Sequence, residues 1–383
     1  MTQLFQSYFL GGFECSTHRR RDGRRLDLLH TTRHCTHVQQ DYLALRRHGI
    51  HAVRDGVRWH MVERFRGSYD WSSVLPMVRA ARENEIQPIW DLCHYGWPDH
   101  IDIWKPEFVD RFACFAAAFA RLLRDETDVI SYYCPINEIS FWAWAGGDVG
   151  LFNPATRRRG MELKCQLVRA AIAAVDAIRQ VDATAQIVNI DPVIHVVPKA
   201  PRYRKQAERV CASQFEAWDM LAGTQMPELG GGPQCTDIMG LNFYSDNQWV
   251  LNGDTLQRSD DRYRPFREIL AETYSRYRKP LFVAETGAEG VRRAPWLRYV
   301  CDEVHAARDS GIPVGGICLY PITDYPGWAN NRHCHSGLLG MVDHEGERPV
   351  HEDLALELSL QQKRFASAAE SMPEASASIS VEA

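Results

Sequence analysis

Ser131-Tyr132-Tyr133-Cys134-Pro135-Ile136-Asn137-Glu138 is a short apolar run that ends on a carboxylate. Leu281-Phe282-Val283-Ala284-Glu285 does the same 147 residues later, just before Thr286-Gly287. Near-continuous apolar runs of this length read as strands buried on both faces, the form taken by parallel sheets. A carboxylate at the end of such a strand is costly unless it sits in a polar cleft with partners. Two of them suggest two carboxylates brought into one site; the plainer reading is a pair of capping or salt-bridging glutamates outside the strands.

Working outward, apolar runs recur at Tyr8–Cys15, Ala52–Trp59, Gln87–His94, Ala185–Asp191, Asp237–Tyr244 and Val314–Tyr320. With Ile130–Asn137 and Leu281–Glu285 they make eight. Helical spacing fills the intervals, as in Phe108, Phe112, Phe115, Phe119 and Leu123, or Leu163, Leu167, Ala170-Ala171, Ala174 and Ile178. Strand then helix, eight times over, predicts an α/β fold: a closed parallel (β/α)8 TIM barrel in a single domain spanning 1–365. No Gly-x-Gly-x-x-Gly follows the first run, which removes the usual dinucleotide-binding alternative. From Ala366 the composition turns to Ala, Ser, Glu and Pro, so 366–383 is expected to be a disordered tail.

The chain has 383 residues, a formal net charge of −5, 45% hydrophobic and 24% charged residues. That balance gives no reason to expect nucleic acid or an anionic membrane as partner. Arginine clusters at 19–21, 24–25 and 157–159 read as solvated loop charge. No apolar run approaches the ~20 residues of a membrane span. Eleven cysteines lack any Cys-x-x-Cys pair, and Met1-Thr2-Gln3-Leu4-Phe5-Gln6 lacks a secretory layout, so a cytoplasmic protein with reduced thiols is expected. Oligomeric state is not encoded in any feature of this kind.

Active sites of such barrels lie at the C-terminal ends of the strands. Those ends carry Glu14 to Arg19, Arg58, His94, Asn137-Glu138, Asp191, Asn242 to Tyr244, Glu285 and Tyr320 to Trp328. Any one of these has a packing explanation; a row of polar and aromatic groups at every strand end points to a sugar site. Two carboxyl groups with different protonation states are the apparatus of glycoside hydrolysis. Trp142 and Trp144 have the spacing either of a leaving-group platform or of helix packing. His30, His34, His37 and Cys35 match no closed zinc set, and His333-Cys334-His335 lacks a third ligand, so neither a metal nor a cofactor is expected.

These residues resemble glycoside hydrolase family 1, within clan A of the retaining glycosidases, over about Tyr8 to Leu360. Phe9-Leu10-Gly11-Gly12-Phe13-Glu14-Cys15-Ser16 is similar to the family's opening strand, and Gly56-Val57-Arg58-Trp59 to its second-strand arginine motif. His94 with Trp97-Pro98, Asn137-Glu138, Asn242-Phe243-Tyr244 and Glu285-Thr286-Gly287 look like its later signatures. The resemblance implies a β-glucosidase-like hydrolase working by double displacement. Glu285 would be the nucleophile, Glu138 the acid then base, Arg58 and Tyr244 the partners of Glu285, and Asn137 the contact to a 2-hydroxyl. Arg58, His94, Asn137, Asn242, Tyr244, Tyr320, Trp328 and Arg19 would bind the carbohydrate substrate.

The chain departs from the pattern where the family grips the outer hydroxyls. Arg19 stands for a glutamine, Gly327 for the glutamate of a Glu-Trp pair, and Tyr320 for a tryptophan. A fixed positive charge at Arg19 and room at Gly327 would both favour an anionic or extended sugar. If Arg19 turns outward with Arg20 and Arg21, only a looser pocket results. Transglycosylation with the same two glutamates, or a catalytically silent carbohydrate-binding barrel, are the alternative activities; sugar, linkage and aglycone are open.

Overall fold

The computed structural model describes residues 3–370. Eight parallel strands close into a barrel: Phe9–Gly12, Ala52–Gly56, Gln87–Asp91, Tyr132–Cys134, Gln186–Pro192, Ile238–Asn242, Leu281–Thr286 and Val314–Leu319. Each pairs with its neighbours in chain order, and the eighth closes on the first through Phe9 opposite Ile317. The eight strands coincide with the eight apolar runs, but several runs continue past the strand. Leu92, Asn137 and Thr17 no longer join a regular ladder; their N–H groups donate singly to Cys134, Cys93 and His94 carbonyls. This irregular rim is where the chain leaves the sheet to aim side chains into the barrel mouth.

Two apolar layers hold the barrel. Inside, Leu10, Ala52, Ile89, Cys134, Val188, Ile190, Ile238, Phe282 and Cys318 fill the lumen. Outside, the helices lay apolar stripes on the strands. In Pro106–Glu126 the stripe is Phe108, Phe112, Phe115, Phe119 and Leu123, all buried at the expected spacing. Burying each of these phenylalanines is worth about 1.5–3 kcal/mol over leaving it exposed. Gly160–Val181 repeats the design with Leu163, Leu167, Ala170, Ala171, Ala174 and Ile178.

Two small additions shape the C-terminal face. His195–Val197 pairs in parallel with Gln248–Val250, and Tyr325–Pro326 forms a hairpin with His333–Cys334. The last helix, Glu352–Glu370, runs across the boundary expected at 365, with Phe365 packed on Tyr8 and Phe9. Residues 371–383 of the expected tail lie outside the described residues. Among the described residues no helix is long and apolar enough to cross a membrane.

Candidate active site

The seventh and sixth strands set the geometry around Glu285. Their register shifts between Leu241 and Asn242, which brings Asn242 opposite Glu285; such irregularities re-aim side chains next to sites. Glu285 is buried with both carboxylate oxygens held. Oε1 accepts from Arg54 Nη1 at 2.8 Å, and Oε2 from the Tyr244 hydroxyl at 2.9 Å.

Arg54, not Arg58, is therefore the cation of this site, which corrects the sequence assignment. Fully buried in the second strand, Arg54 also donates to Asp91 Oδ2 at 2.6 Å, Asn137 Oδ1 at 2.9 Å and the Ala284 carbonyl at 3.0 Å. Its guanidinium lies 5.0 Å from the centre of the Tyr320 ring. Arg58 instead bonds Asp27 at 3.1 Å and the Ser73 carbonyl at 3.2 Å. The strand ends at Gly56 and the chain turns into the short helix Trp59–Val62, which carries Arg58 behind the barrel wall.

Glu138 follows the fourth strand in a left-handed backbone conformation, φ 48° and ψ 61°. A non-glycine residue takes this region only when its surroundings impose it, and such residues cluster at functional sites. Its N–H donates to Ile190 and its carbonyl accepts from Trp142. The carboxyl accepts from Asn242 Nδ2 at 2.7 Å through Oε1 and meets the Tyr95 hydroxyl through Oε2. Burial first, then the charge of Glu285, push the Glu138 pKa up to about 8. The carboxyl group thus keeps its proton at neutral pH. Just below it, Asp191 accepts from Ser140 N at 3.0 and 3.1 Å, fixing the turn that presents Glu138.

Arg54 also fixes the neighbouring amide. Because Asn137 Oδ1 faces the guanidinium, Nδ2 points to His94 Nε2 and the Tyr95 hydroxyl, each at 3.1 Å. His94 Nδ1 faces Asp91 Oδ2 at 3.2 Å; burial opposes charge on the ring, but Asp91, Glu14 and Glu285 together raise its pKa. His94, Asn137, Asn242, Tyr244, Glu138 and Glu285 are all brought together. Tyr320 and Trp328 line the same cavity, and neither the Tyr320 hydroxyl nor Trp328 Nε1 has a partner among the described residues. Gly12 makes the floor possible: a Cβ there would lie 2.0 Å from the Tyr320 ring.

Arg19 and Gly327 are the two positions at which the sequence left the pocket open. Arg19 turns outward: it pairs with Asp99 and donates to the Gly23 carbonyl at 2.8 Å. At Gly327 a Cβ would lie against Cys334 and Asn330 of the hairpin. Of the two readings the sequence left open, the one with Arg19 turned outward holds, and Arg19 brings no positive charge into the cavity. Glu14 faces the cavity instead, 5% exposed, with Oε1 accepting from Ser16 N at 3.1 Å and lying 3.9 Å from His94 Nε2. Burial raises its pKa against the opposing pull of His94 and Ser16.

The cavity measures about 1730 Å³, beyond the roughly 300–1,000 Å³ usual for small-ligand sites. Its outer part is lined by Phe141, Trp144, Gln206, Trp249, Asn252 and Tyr263. Trp144 is 50% exposed there, whereas Trp142 is fully buried and donates to the Asn153 carbonyl, which is packing. The histidines at 30, 34 and 37 do not assemble: His34 stacks on Phe13 and bridges Asp41 and Asp55 at 2.7 and 2.9 Å. His333 and His335 share Asp324 Oδ2 at 3.6 and 3.0 Å, a third group the sequence did not reveal.

Tyr95 and Arg54 are the members that sequence reasoning passed over, while Glu14 was read at its strand end and given no role. Arg54-Asp55 inside an apolar run was the available signal, since buried charges require partners. Tyr95 was masked by its neighbour His94, and only its left-handed backbone, φ 65°, swings it onto Glu138.

Barrel and rim together define a closed (β/α)8 fold with two buried glutamates at the mouth. No protein-family model matches the sequence, and no curated protein matches it. Among solved structures, the fold is similar to the family 1 β-glucosidase from Thermotoga maritima, with a TM-score of 0.75 at 16% identity, covering 94% of this chain and 98% of that one. The same enzyme in complex with glucoimidazole gives 0.75 at 15% identity, over 94% and 99%. A hyperthermophilic β-glucosidase mutant that forms a dodecamer in its crystal gives 0.75 at 17% identity, over 94% and 99%. At these identities the likeness is one of fold.

Proposed function

We propose that this protein is a retaining β-glycosidase that hydrolyses a β-linked glycoside or oligosaccharide through a glycosyl-enzyme intermediate. The observation that carries the reading is the contrast between the two glutamates. Glu285 has a guanidinium on one oxygen and a phenol on the other, while Glu138 retains its proton with a pKa of about 8. That division is what double displacement requires of a nucleophile and an acid.

In the first step Glu285 attacks the anomeric carbon while Glu138 protonates the departing oxygen. As the Glu285 oxygen becomes an ester, Arg54 and Tyr244 lose a charged acceptor, and both retain other positions to hold: Arg54 on Asp91, Tyr244 toward the sugar. In the second step Glu138, now ionised, takes a proton from water, which attacks the same carbon and restores Glu285. Asn137 Nδ2 is placed to exchange one of its contacts for the 2-hydroxyl, a bond that strengthens as charge develops. Trp144 supplies an exposed face on the leaving-group side, and the length of the cleft supports a chain of sugars there. The eleven free thiols support a reducing, cytoplasmic setting.

The test is a screen of aryl β-glycosides differing in the sugar, read for released phenol, with the first-formed anomer followed by NMR. Retention gives the β-anomer first. Initial release of the α-anomer would mean inversion and would remove the intermediate.

A further inference from the structure

Strand one and strand eight are adjacent in the barrel, across the mouth from the fourth strand that carries Glu138 and leads to Trp144. Glu14, which follows strand one, lines the same cavity as Glu138 and Glu285. Here the expected glutamine is Arg19, bound outside to Asp99, and the expected glutamate is Gly327, backed by the hairpin. The group that does enter is Glu14. Its Oε2 has no hydrogen-bond partner among the described residues, and Tyr320 and Trp328 line the same cavity.

Resting on the reading above, we propose that Glu14 is the specificity-determining group for the reacting sugar, accepting a pair of its hydroxyls and excluding sugars that carry a carboxylate or a phosphate. An ionised carboxylate is acceptor-only, so it pairs with sugar hydroxyls as donors and repels an anion. The fixed charges around it reinforce that choice. Asp91 and Glu285 together outnumber the single guanidinium of Arg54, which they already occupy. Arg19 and Arg25, the next cations along the rim, are both committed to Asp99. An anionic sugar would therefore meet three carboxylates, Glu14, Asp91 and Glu285, against Arg54 and His94, which those carboxylates already hold.

The measurement is equilibrium binding by calorimetry of phenyl 1-thio-β-glucoside, its glucuronide and its 6-phospho-glucoside, which resist hydrolysis, to the wild type and to Glu14→Gln and Glu14→Asp. The neutral thioglucoside should bind the wild type at least tenfold more tightly than either anion. Glu14→Gln should weaken neutral binding roughly 10–100-fold, the scale of losing hydrogen bonds to a charged group, and shrink the neutral-to-anion ratio; Glu14→Asp should restore part of the ratio. A merely structural Glu14 would change melting temperature and leave that ratio alone. Tighter binding of an anion, no binding of the neutral compound, or a ratio unchanged in Glu14→Gln would each overturn the proposal. Failure to release phenol from any aryl β-glycoside would count against the hydrolase instead, since binding selectivity is read without turnover.

Discussion

Replacing Glu138 by glutamine separates the acid's chemistry from its cost to the fold. Its folded pKa of about 8 stands well above the ordinary 4.5. Between those values the folded state holds a proton that the unfolded chain has released, so stability falls as pH rises. Each pH unit crossed is worth about 1.4 kcal/mol, which over that interval sums to roughly 5 kcal/mol as an upper bound. Glutamine copies the protonated group's shape and cannot ionise. Glu138→Gln should therefore match the wild type in stability near pH 4.5 and exceed it above pH 8. With an unfolding entropy of about 2.1 cal/mol/K per residue, the gain corresponds to roughly 4–6 °C in Tm. Calorimetric melts from pH 4 to 9 give the difference directly. Kinetics on aryl glycosides supply the second half: first-step rates should hold for activated phenols and collapse for poor leaving groups, because a good leaving group needs little protonation. A Tm difference that does not vary with pH, or equal losses across the leaving-group series, would refute the assignment of the proton to Glu138.

Arg54→Met should abolish activity and cost about 3–5 kcal/mol, since it leaves Asp91 and Glu285 buried without their cation; Arg58→Gln should keep near-normal kcat, and the reverse pattern in parallel assays and denaturant melts would restore Arg58. Glu285→Ala should lose most activity, with partial rescue by azide or formate on an activated aryl glycoside giving product of inverted configuration by NMR; wild-type-like turnover would sink the nucleophile. His34, raised to about 9 by Asp55 and Asp41 although burial opposes it, contributes stability that is full below its ordinary 6.5 and is lost as pH rises through 9. Urea melts of wild type and His34→Gln should accordingly converge between pH 6.5 and 9.5, and a constant gap would contradict the buried charge.

The barrel was legible because parallel strands buried on both faces leave unbroken apolar runs, and eight such runs close it. Both glutamates were legible for the same reason: each terminates a run that would otherwise tolerate no charge. Where the strand stops was not legible. Reading the second run through to Trp59 made Arg58 the rim residue, whereas the ladder ends at Gly56 and the useful cation is the one inside it. The direction of side chains beyond the strands was hidden too. Arg19 and Glu14 lie five residues apart in one polar loop, and only the fold decides that the acid enters and the base leaves.

The contact of Gly12 with the Tyr320 ring makes positions 12 and 320 a linked pair. Even an alanine on the first strand would occupy the volume of that ring, so the ring and the bare backbone must be inherited, lost or redesigned together. The aromatic face beneath Arg54 is thus owed to an absent side chain on another strand. Anyone reshaping this floor would have to change strand one before touching strand eight.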